Sequence, residues 1–206
     1  MKSVFVTGTD TGIGKTIASA WLCHHWQADY WKPVQSGTED GTDSATVATL
    51  AQCEVHPEAY RLSAPLSPHQ SAALDGVNIE LKQFVLPKAD RLVVEGAGGC
   101  MVPLNWQHTL IDLMQHLALP VLLVARSGLG TINHTCLSVQ ALRTAKVPVL
   151  GVLMMGPANA ANRQAIEHFA KTPVLAELPH WRSVGTNALA NHPMPIGLRQ
   201  ALEGLG

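Results

Sequence analysis

Short apolar runs alternate along the chain with longer segments that carry a helical pattern. The apolar runs predict six strands, "SVFVTG", "YWKPV", "RLVVEG", "PVLLVAR", "VPVLGVLMM" and "PVLAEL". The segments between them predict helices over residues 15–26, 43–51, 110–117, 131–145 and 160–170. The strand runs are continuously apolar, which is typical of parallel strands covered by helices on both faces. The pattern therefore predicts an α/β fold with a mostly parallel central sheet and helices on both faces.

Residues 55–76 interrupt this alternation because they are rich in Pro, Ser and His. We expect them to form an excursion over the surface that is partly helical. The sequence has no internal repeat, low-complexity tract or change of composition that would mark a linker. Its 206 residues predict a single domain over 1–206.

Composition narrows the class of protein. Hydrophobic residues make up 47% of the chain and charged residues 14%, which provides a sizeable core and argues against disorder. The formal net charge of −1 gives no electrostatic reason to bind nucleic acid or an anionic membrane. The longest apolar runs are too short to span a bilayer. The N-terminus lacks the apolar stretch of a signal peptide.

The four cysteines are widely spaced and form no C-x-x-C pair. They predict reduced thiols in a cytoplasmic protein. The ten histidines show no zinc-binding spacing, so no zinc site is expected.

Polar residues follow the strands at the point where each strand ends, which is where such sheets bind ligands. After the first strand comes "GTDTGIGKT", residues 8–16, which has one residue more than the usual phosphate-binding loop. Its small residues would let backbone N–H groups surround an anion at a helix N-terminus. Lys15 would then reach the outer phosphates, and Thr16 would offer a hydroxyl to Mg²⁺. The alternative is a plain strand-to-helix turn, but the position directly after a buried strand favours the nucleotide site.

Three further residues have the chemistry of such a site. Asp43 and Glu95 could supply Mg²⁺ with carboxylate oxygens, although Asp43 could instead be a simple helix N-cap. Lys32 lies in an otherwise apolar strand, where it could either snorkel at the strand edge or face Lys15 as a second ammonium group. Ser36, at the end of the same segment, could bond a substrate.

Together, the motifs "VTGTDTGIGKT", "KPVQSG", "VEGAGG" and "LGTINH" resemble the dethiobiotin synthetase family, and "PVLAELP" extends the match to residue 179. The five-residue spacing in the first loop is the form that this family has. The resemblance implies a P-loop NTPase-like fold and a cytoplasmic homodimer. It also implies a cyclo-ligase of biotin biosynthesis that uses Mg²⁺ and ATP to join CO₂ to 7,8-diaminononanoate. The route would pass through a carbamate and a carbamic-phosphoric anhydride.

The resemblance also implies roles for individual residues. Lys32 and Lys15 would be catalytic. Substrate contacts would come from Thr11 and Ser36 and, at a helix start of the other subunit, from Gly130, Thr131 and Asn133. Mg²⁺ would be held by Thr16, Asp43 and Glu95. The remaining ATP contacts would be Gly12, Ile13, Gly14, Ile17, Gly96, Ala97 and Gly98, together with Lys15, Thr16, Asp43 and Glu95.

The sequence departs from the family where an Asn-Asp pair often recognises the nucleotide base. Met155 and Gly156 occupy those positions, and Asn159 follows three residues later. We therefore predict a looser choice of nucleotide, or recognition by backbone groups around Leu178, Pro179 and His180. The sequence assigns no role to the residues from Trp181 onward.

Two alternatives share the fold. A switch ATPase would normally carry a second lysine within the phosphate loop, where this chain has Gly8 and Thr9, and its short, nearly neutral tail "GLRQALEGLG" is a poor membrane helix. An amidotransferase-type synthase of cobalamin biosynthesis would need a glutaminase domain, for which the chain has no room.

Overall fold

The computed structural model describes residues 1–39, 41–181 and 184–206. Its strands are β1 Lys2–Gly8, β2 Asp29–Trp31, β3 Val34–Ser36, β4 Val55–His56, β5 Tyr60–Leu62, β6 Arg91–Gly99, β7 Val121–Arg126, β8 Val149–Met155 and β9 Val174–Leu178. Its helices are α1 Lys15–Trp26, α2 Asp43–Ala51, α3 Pro68–Leu74, α4 Leu110–Leu117, α5 Thr131–Thr144, α6 Ala160–Ala170, α7 Thr186–Ala190 and α8 Ile196–Glu203. The five predicted helices are all present, with ends within one residue of the predictions.

Seven strands form the central sheet in the order β4-β2-β6-β1-β7-β8-β9, and all their pairings are parallel. Strand β1 is thus the middle strand of the sheet, with three strands on each side. The phosphate loop follows its carboxyl end. The predicted α/β fold with a parallel sheet is confirmed.

Alternate residues of the buried strands face opposite helical layers. In β7, Leu122 and Val124 join the core that contains residues of α1, α2, α7 and α8. Leu123 and Ala125 face the other side, where they pack with α5 and α6. Burial on both faces explains why these strands are continuously apolar rather than alternating.

The segment "YWKPV" is not one strand, as the sequence predicted, but two. It breaks after Trp31, so that β2 belongs to the central sheet while β3 pairs with β5 in a separate two-stranded sheet. Pro33 lies at the break and has no N–H to donate to a strand ladder. The break leaves Lys32 between the two sheets.

The surface excursion contains more structure than we predicted. Besides the expected helical part, α3, residues 55–76 include β4 at the edge of the central sheet and β5. Strands of two and three residues are too short to show a hydrophobic pattern.

The residues near the C-terminus have a structural role. Trp21 Nε1 of α1 donates to the carbonyl of His192, 2.6 Å away, and Trp26 Nε1 donates to Glu203 of α8 over 3.1 Å. The two tryptophans therefore tie α8 and the segment after α7 to α1. Among the described residues, we find no helix with the length and apolar character needed to cross a membrane.

Candidate active site

One cleft of about 770 Å³ opens at the carboxyl ends of β1 and β6, beside the break after β2. It brings together twelve of the residues that the sequence singled out: Thr11, Gly12, Gly14, Lys15, Thr16, Ile17, Lys32, Ser36, Asp43, Glu95, Ala97 and Gly98. The predicted gathering of polar residues at the strand ends is therefore present in the structure.

The phosphate loop is held by its own residues and by β7. The Asp10 carboxylate accepts a hydrogen bond from the backbone N–H of Thr11 at 2.7 Å and from Arg126 at 2.7 Å. Gly14 has a φ of 95°, and a Cβ there would lie 2.8 Å from Cε of Met155. Only glycine fits that close, left-handed turn into α1. Contacts within the protein therefore fix the conformation of the phosphate loop.

Lys15 follows Gly14 as the first residue of α1 and is only 7% exposed. Its ammonium group donates to the backbone carbonyl of Asp10 over 3.0 Å. Burial lowers the pKa of Lys15 and nearby Lys32 adds to the effect, while Glu95 opposes it. A poorly solvated ammonium group beside a ring of backbone N–H groups suits the binding of phosphate oxygens.

Three oxygen-bearing side chains converge next to Lys15. The hydroxyl of Thr16 lies 2.8 Å from Oδ1 of Asp43 and 3.1 Å from Oε1 of Glu95. Hydroxyl and carboxylate oxygens are the ligands that Mg²⁺ prefers, so this set fits the ion. The N-cap alternative for Asp43 is wrong, because Thr42 is the cap of α2 and accepts from the N–H of Ala45 at 3.1 Å.

Lys32 lies between the two carboxylates and is 4% exposed. Its ammonium group pairs with Oδ2 of Asp43 and with Oε1 of Glu95, the latter at 3.2 Å. The snorkelling alternative is therefore wrong. Burial lowers the pKa of Lys32, but Glu95 and Asp43 outweigh it, so the net pKa is raised. Conversely, Lys32 holds the pKa of Asp43 below its usual range despite partial burial.

Two buried residues that we did not predict, Gln35 and Tyr30, contact the residues that carry these carboxylates. The amide of Gln35 donates to the carbonyls of Ser36 and Gly37, and its oxygen accepts from the N–H of Asp43 at 3.0 Å. The hydroxyl of Tyr30 donates to Oε2 of Glu95 at 3.0 Å. Neither role has a signal in the sequence, since both depend on which segments meet in space.

The substrate side of the cleft contains both expected and unexpected residues. The hydroxyl of Ser36 is buried and has no hydrogen-bond partner among the described residues, so it is available to a ligand. The unexpected lining comes from the end of the surface excursion: Pro65, Leu66, Ser67, Pro68 and Gln70. These residues lead into and begin the short helix α3, and the sequence carried no motif there from which a binding role could be predicted.

Other predicted residues lie outside the lining of this cleft, as far as the described residues go. Ile13 is 4% exposed and packs in the core, where it anchors the phosphate loop. Gly96 packs against Phe5, whose ring would be 2.8 Å from an added Cβ. Gly130, Thr131 and Asn133 lie at the start of α5, with Gly130 as its N-cap.

A second hollow of about 400 Å³ lies beside the phosphate loop, and its lining includes Arg126, Met155, Asn159 and His180. The side-chain oxygen of Asn159 is already used, because it caps α6 by accepting from the N–H of Asn162 at 3.0 Å. One acceptor position of the Asn159 side chain is therefore used within the protein.

Gly156, directly after β8, is also fixed by contacts within the protein. Gly156 has a φ of 130°, and a Cβ at this position would collide with the hydroxyl of Ser127. Its N–H donates to the carbonyl of Leu178 at 2.8 Å. Leu178 thus faces the core and ties β9 to β8, while His180 reaches the hollow.

Away from both hollows, Asp29, Glu54 and His56 bring potential metal ligands together at the sheet edge. Nε2 of His56 lies 2.9 Å from Oδ2 of Asp29. This hydrogen bond explains the contact between the two side chains without a metal.

Comparison with solved structures shows the same fold in P-loop ATPases. The cell division ATPase MinD of Pyrococcus furiosus superposes with a TM-score of 0.59 at 16% identity, over 98% of this chain and 99% of that one. A ParA family ATPase from Chlorobium tepidum gives a TM-score of 0.56 at 13% identity, over 98% and 97% of the two chains. The P-loop NTPase-like fold is therefore confirmed.

Sequence comparison identifies much nearer relatives. The family model described as AAA domain matches residues 2–188. The chain is 55% identical to an ATP-dependent dethiobiotin synthetase of Paramagnetospirillum magneticum, over 95% of this chain and 96% of the relative. It is 45% identical to that of Lawsonia intracellularis, over 95% and 97%. With these identities, and with the phosphate loop and paired lysines in one cleft, the chain belongs to the ATP-dependent dethiobiotin synthetase family.

Proposed function

We propose that this enzyme joins CO₂ to 7,8-diaminononanoate and closes the ureido ring of dethiobiotin at the expense of ATP. One amine of the substrate forms a carbamate, ATP phosphorylates the carbamate oxygen, and the second amine displaces phosphate to close the ring. The observation that carries the proposal is the burial of Lys32 in the same cleft as Lys15 and Thr16. A phosphate loop alone would explain nucleotide binding. A second buried ammonium group would also stabilise the carbamate and the phosphoryl group where these two anions react.

The ATP phosphates would occupy the loop of residues 8–16. The backbone N–H groups of Gly12, Ile13 and Gly14 would surround them, and Lys15 would exchange the Asp10 carbonyl for a phosphate oxygen. Ala97 and Gly98 would leave room on the opposite wall, because small residues allow close approach of a phosphate, while Gly96 packs behind them against Phe5.

Thr16, Asp43 and Glu95 would hold Mg²⁺, as supported by the convergence of their oxygens. When bound, the ion would offset negative charge on the phosphates. Asp43 begins α2 and Glu95 lies in strand β6, so regular backbone elements fix the positions from which these two side chains extend.

Lys32 would act where the carbamate meets the transferred phosphoryl group. Bringing two anionic groups together is costly unless positive charge is fixed there beforehand. Glu95 and Asp43 raise the pKa of Lys32 despite its burial, which favours the charged form. The free hydroxyl of Ser36 and the exposed Thr11 would contact the diamine or its carbamate.

The working enzyme would be a cytoplasmic homodimer. Its four cysteines are free thiols, which fits a reducing compartment. Gly130, Thr131 and Asn133 of the partner subunit would receive the substrate carboxylate at the N-terminus of α5, where the helix dipole favours an anion.

The base of the nucleotide would sit in the hollow lined by Met155, Asn159 and His180. Asn159 is engaged in a helix cap, and Gly156 leaves no room for a side chain. We therefore expect turnover with GTP and CTP within about tenfold of that with ATP, because hydrogen bonds to base edges give the stronger discrimination. Steady-state rates with the three nucleotides check this. A strong preference for ATP would mean that other residues read the base.

The proposed reaction is tested by incubating the enzyme with ATP, Mg²⁺, bicarbonate and diaminononanoate. Phosphate release should depend on the diamine, and dethiobiotin should form in equal amount. A switch ATPase would instead release phosphate at the same rate without the diamine. That outcome would overturn the proposal.

A further inference from the structure

Glu95 is 1% exposed, and its two carboxylate oxygens face different surroundings. Oε1 faces the cleft, 3.1 Å from the hydroxyl of Thr16 and 3.2 Å from the ammonium group of Lys32. Oε2 instead accepts a hydrogen bond from Tyr30 at 3.0 Å. Both carboxylate oxygens of Glu95 are therefore hydrogen-bonded, and the Tyr30 hydroxyl is the partner that Oε2 has among the described residues.

Tyr30 is well placed to fix an orientation. It lies on β2, paired with Val93 of β6, and its side chain is completely buried in the core beneath α1. An ionised carboxylate oxygen can only accept, so the Tyr30 hydroxyl, 3.0 Å away, is the donor to Oε2.

The terminal torsion of a glutamate side chain is broad, so the chain of Glu95 alone does not determine where its oxygens point. The Tyr30 hydroxyl selects one orientation, with Oε1 beside Thr16. Without that donor, Oε2 would be a buried acceptor with no partner, and the carboxylate would gain by turning toward Lys32.

We propose that Tyr30 is a positioning residue for the divalent cation, which acts by fixing the Glu95 carboxylate beside Thr16. This inference rests on the proposed function, because it takes Thr16, Asp43 and Glu95 to be the Mg²⁺ site. Residues that orient metal ligands typically contribute about 10- to 100-fold to metal affinity.

The test is the binding of a non-hydrolysable ATP analogue, titrated calorimetrically with and without Mg²⁺, with no turnover. In Tyr30→Phe, which retains the buried ring, we expect the Mg²⁺ concentration for half-maximal tightening to rise about 10-fold. Affinity without Mg²⁺ should be unchanged. Tyr60→Phe is the matched control, because it also removes a phenol hydrogen bond, the one from the N–H of Glu80 at 3.0 Å, outside the cation site.

Glu95→Gln separates failure of this inference from failure of the proposed function. If the wild-type enzyme binds the analogue equally with and without Mg²⁺, both the cation site and the role of Tyr30 are overturned. If Mg²⁺ tightens binding to the wild type and Glu95→Gln weakens that effect, while Tyr30→Phe behaves as wild type, only the Tyr30 inference is overturned. An equal loss of affinity with and without Mg²⁺ in Tyr30→Phe would also overturn it, since that indicates a general structural defect.

Discussion

A buried lysine is costly unless carboxylates compensate it, and Lys32 has two of them. The same two carboxylates are the proposed cation ligands. Lys32 therefore contacts the proposed Mg²⁺ site directly, next to the place where the carbamate would react. Glu95 and Asp43 together raise the pKa of Lys32, and Lys32 in turn lowers the pKa of Asp43.

Replacing Lys32 should therefore affect turnover far more than nucleotide binding. We expect Lys32→Ala to lower diamine-dependent phosphate release by about 10²- to 10³-fold, the usual loss when a fixed transition-state charge is removed. Binding of an ATP analogue in the presence of Mg²⁺ should be largely retained. Lys2→Ala is the control, because Lys2 pairs with Glu203 at the surface rather than in the cleft. Near-normal turnover by Lys32→Ala would contradict the assigned role.

His25, near the end of α1, should make folding sensitive to acid. Burial lowers the pKa of His25 below 6.5, and its Nε2 contacts the carbonyl of Leu189 in α7 at 2.9 Å. The folded state therefore holds fewer protons than the unfolded state, so this stability is present above pH 6.5 and is lost as the pH falls through the folded-state value.

We accordingly expect His25→Gln to lose less thermal stability than wild type between about pH 7 and pH 5, by on the order of 1–2 °C given the exposure of the ring. His168→Gln is the control, because His168 also lies in the last turn of a helix but is exposed. Parallel pH profiles for wild type and His25→Gln would show that His25 does not contribute.

At the scale of elements, α2 depends on the strand that precedes it. Gln35 of β3 is 5% exposed, and it joins the first N–H of α2 to the carbonyls of Ser36 and Gly37. This contact sets the distance between the start of α2, which carries Asp43, and the cleft.

Gln35→Ala should destabilise the fold by about 1 kcal/mol, since it leaves partly buried backbone groups without partners. Urea unfolding measures the change. Gln115→Ala removes a comparable bond, to the carbonyl of Ala145, at an exposed position and should cost clearly less. Equal effects of the two substitutions would argue against a special role for Gln35.

The elements also show what a sequence pattern can and cannot give. Helix α6 was predicted with its observed ends, because apolar periodicity reports which face of a local segment is buried. The break at Pro33 and the strands β4 and β5 were missed, since so few residues carry no periodicity. The cleft residues in strand-end motifs were found, whereas Tyr30 and Gln35 were missed because their partners are distant in the chain.

At the scale of the molecule, the start of α5 is the region that the proposed dimer must explain. Leu129 is fully exposed just before this helix, and Leu137 is 61% exposed within it. Exposed leucines next to a helix N-terminus suit an interface that delivers Gly130, Thr131 and Asn133 to another subunit.

A mixing experiment tests whether the site is shared between subunits. Lys32→Ala and Asn133→Asp should each be nearly inactive, the second because it places a carboxylate where the substrate carboxylate would bind. Reassociated mixtures should recover about a quarter of wild-type activity, since half the dimers would be mixed and each would have one intact site. Remixing either variant with itself is the control. If mixtures recover no activity although native mass spectrometry shows mixed dimers, each site belongs to one subunit.

The contact of Lys32 with Asp43 and Glu95 also sets the net charge that the cleft presents to an incoming anion. With Lys15 included, two ammonium groups face two carboxylates, so the formal charges cancel. A cleft with no net formal charge exerts little long-range electrostatic attraction on a free, highly charged nucleotide. A nucleotide already chelated by Mg²⁺ is still an anion, but it carries less net negative charge than the free nucleotide and therefore gives up less hydration on entering a neutral cleft.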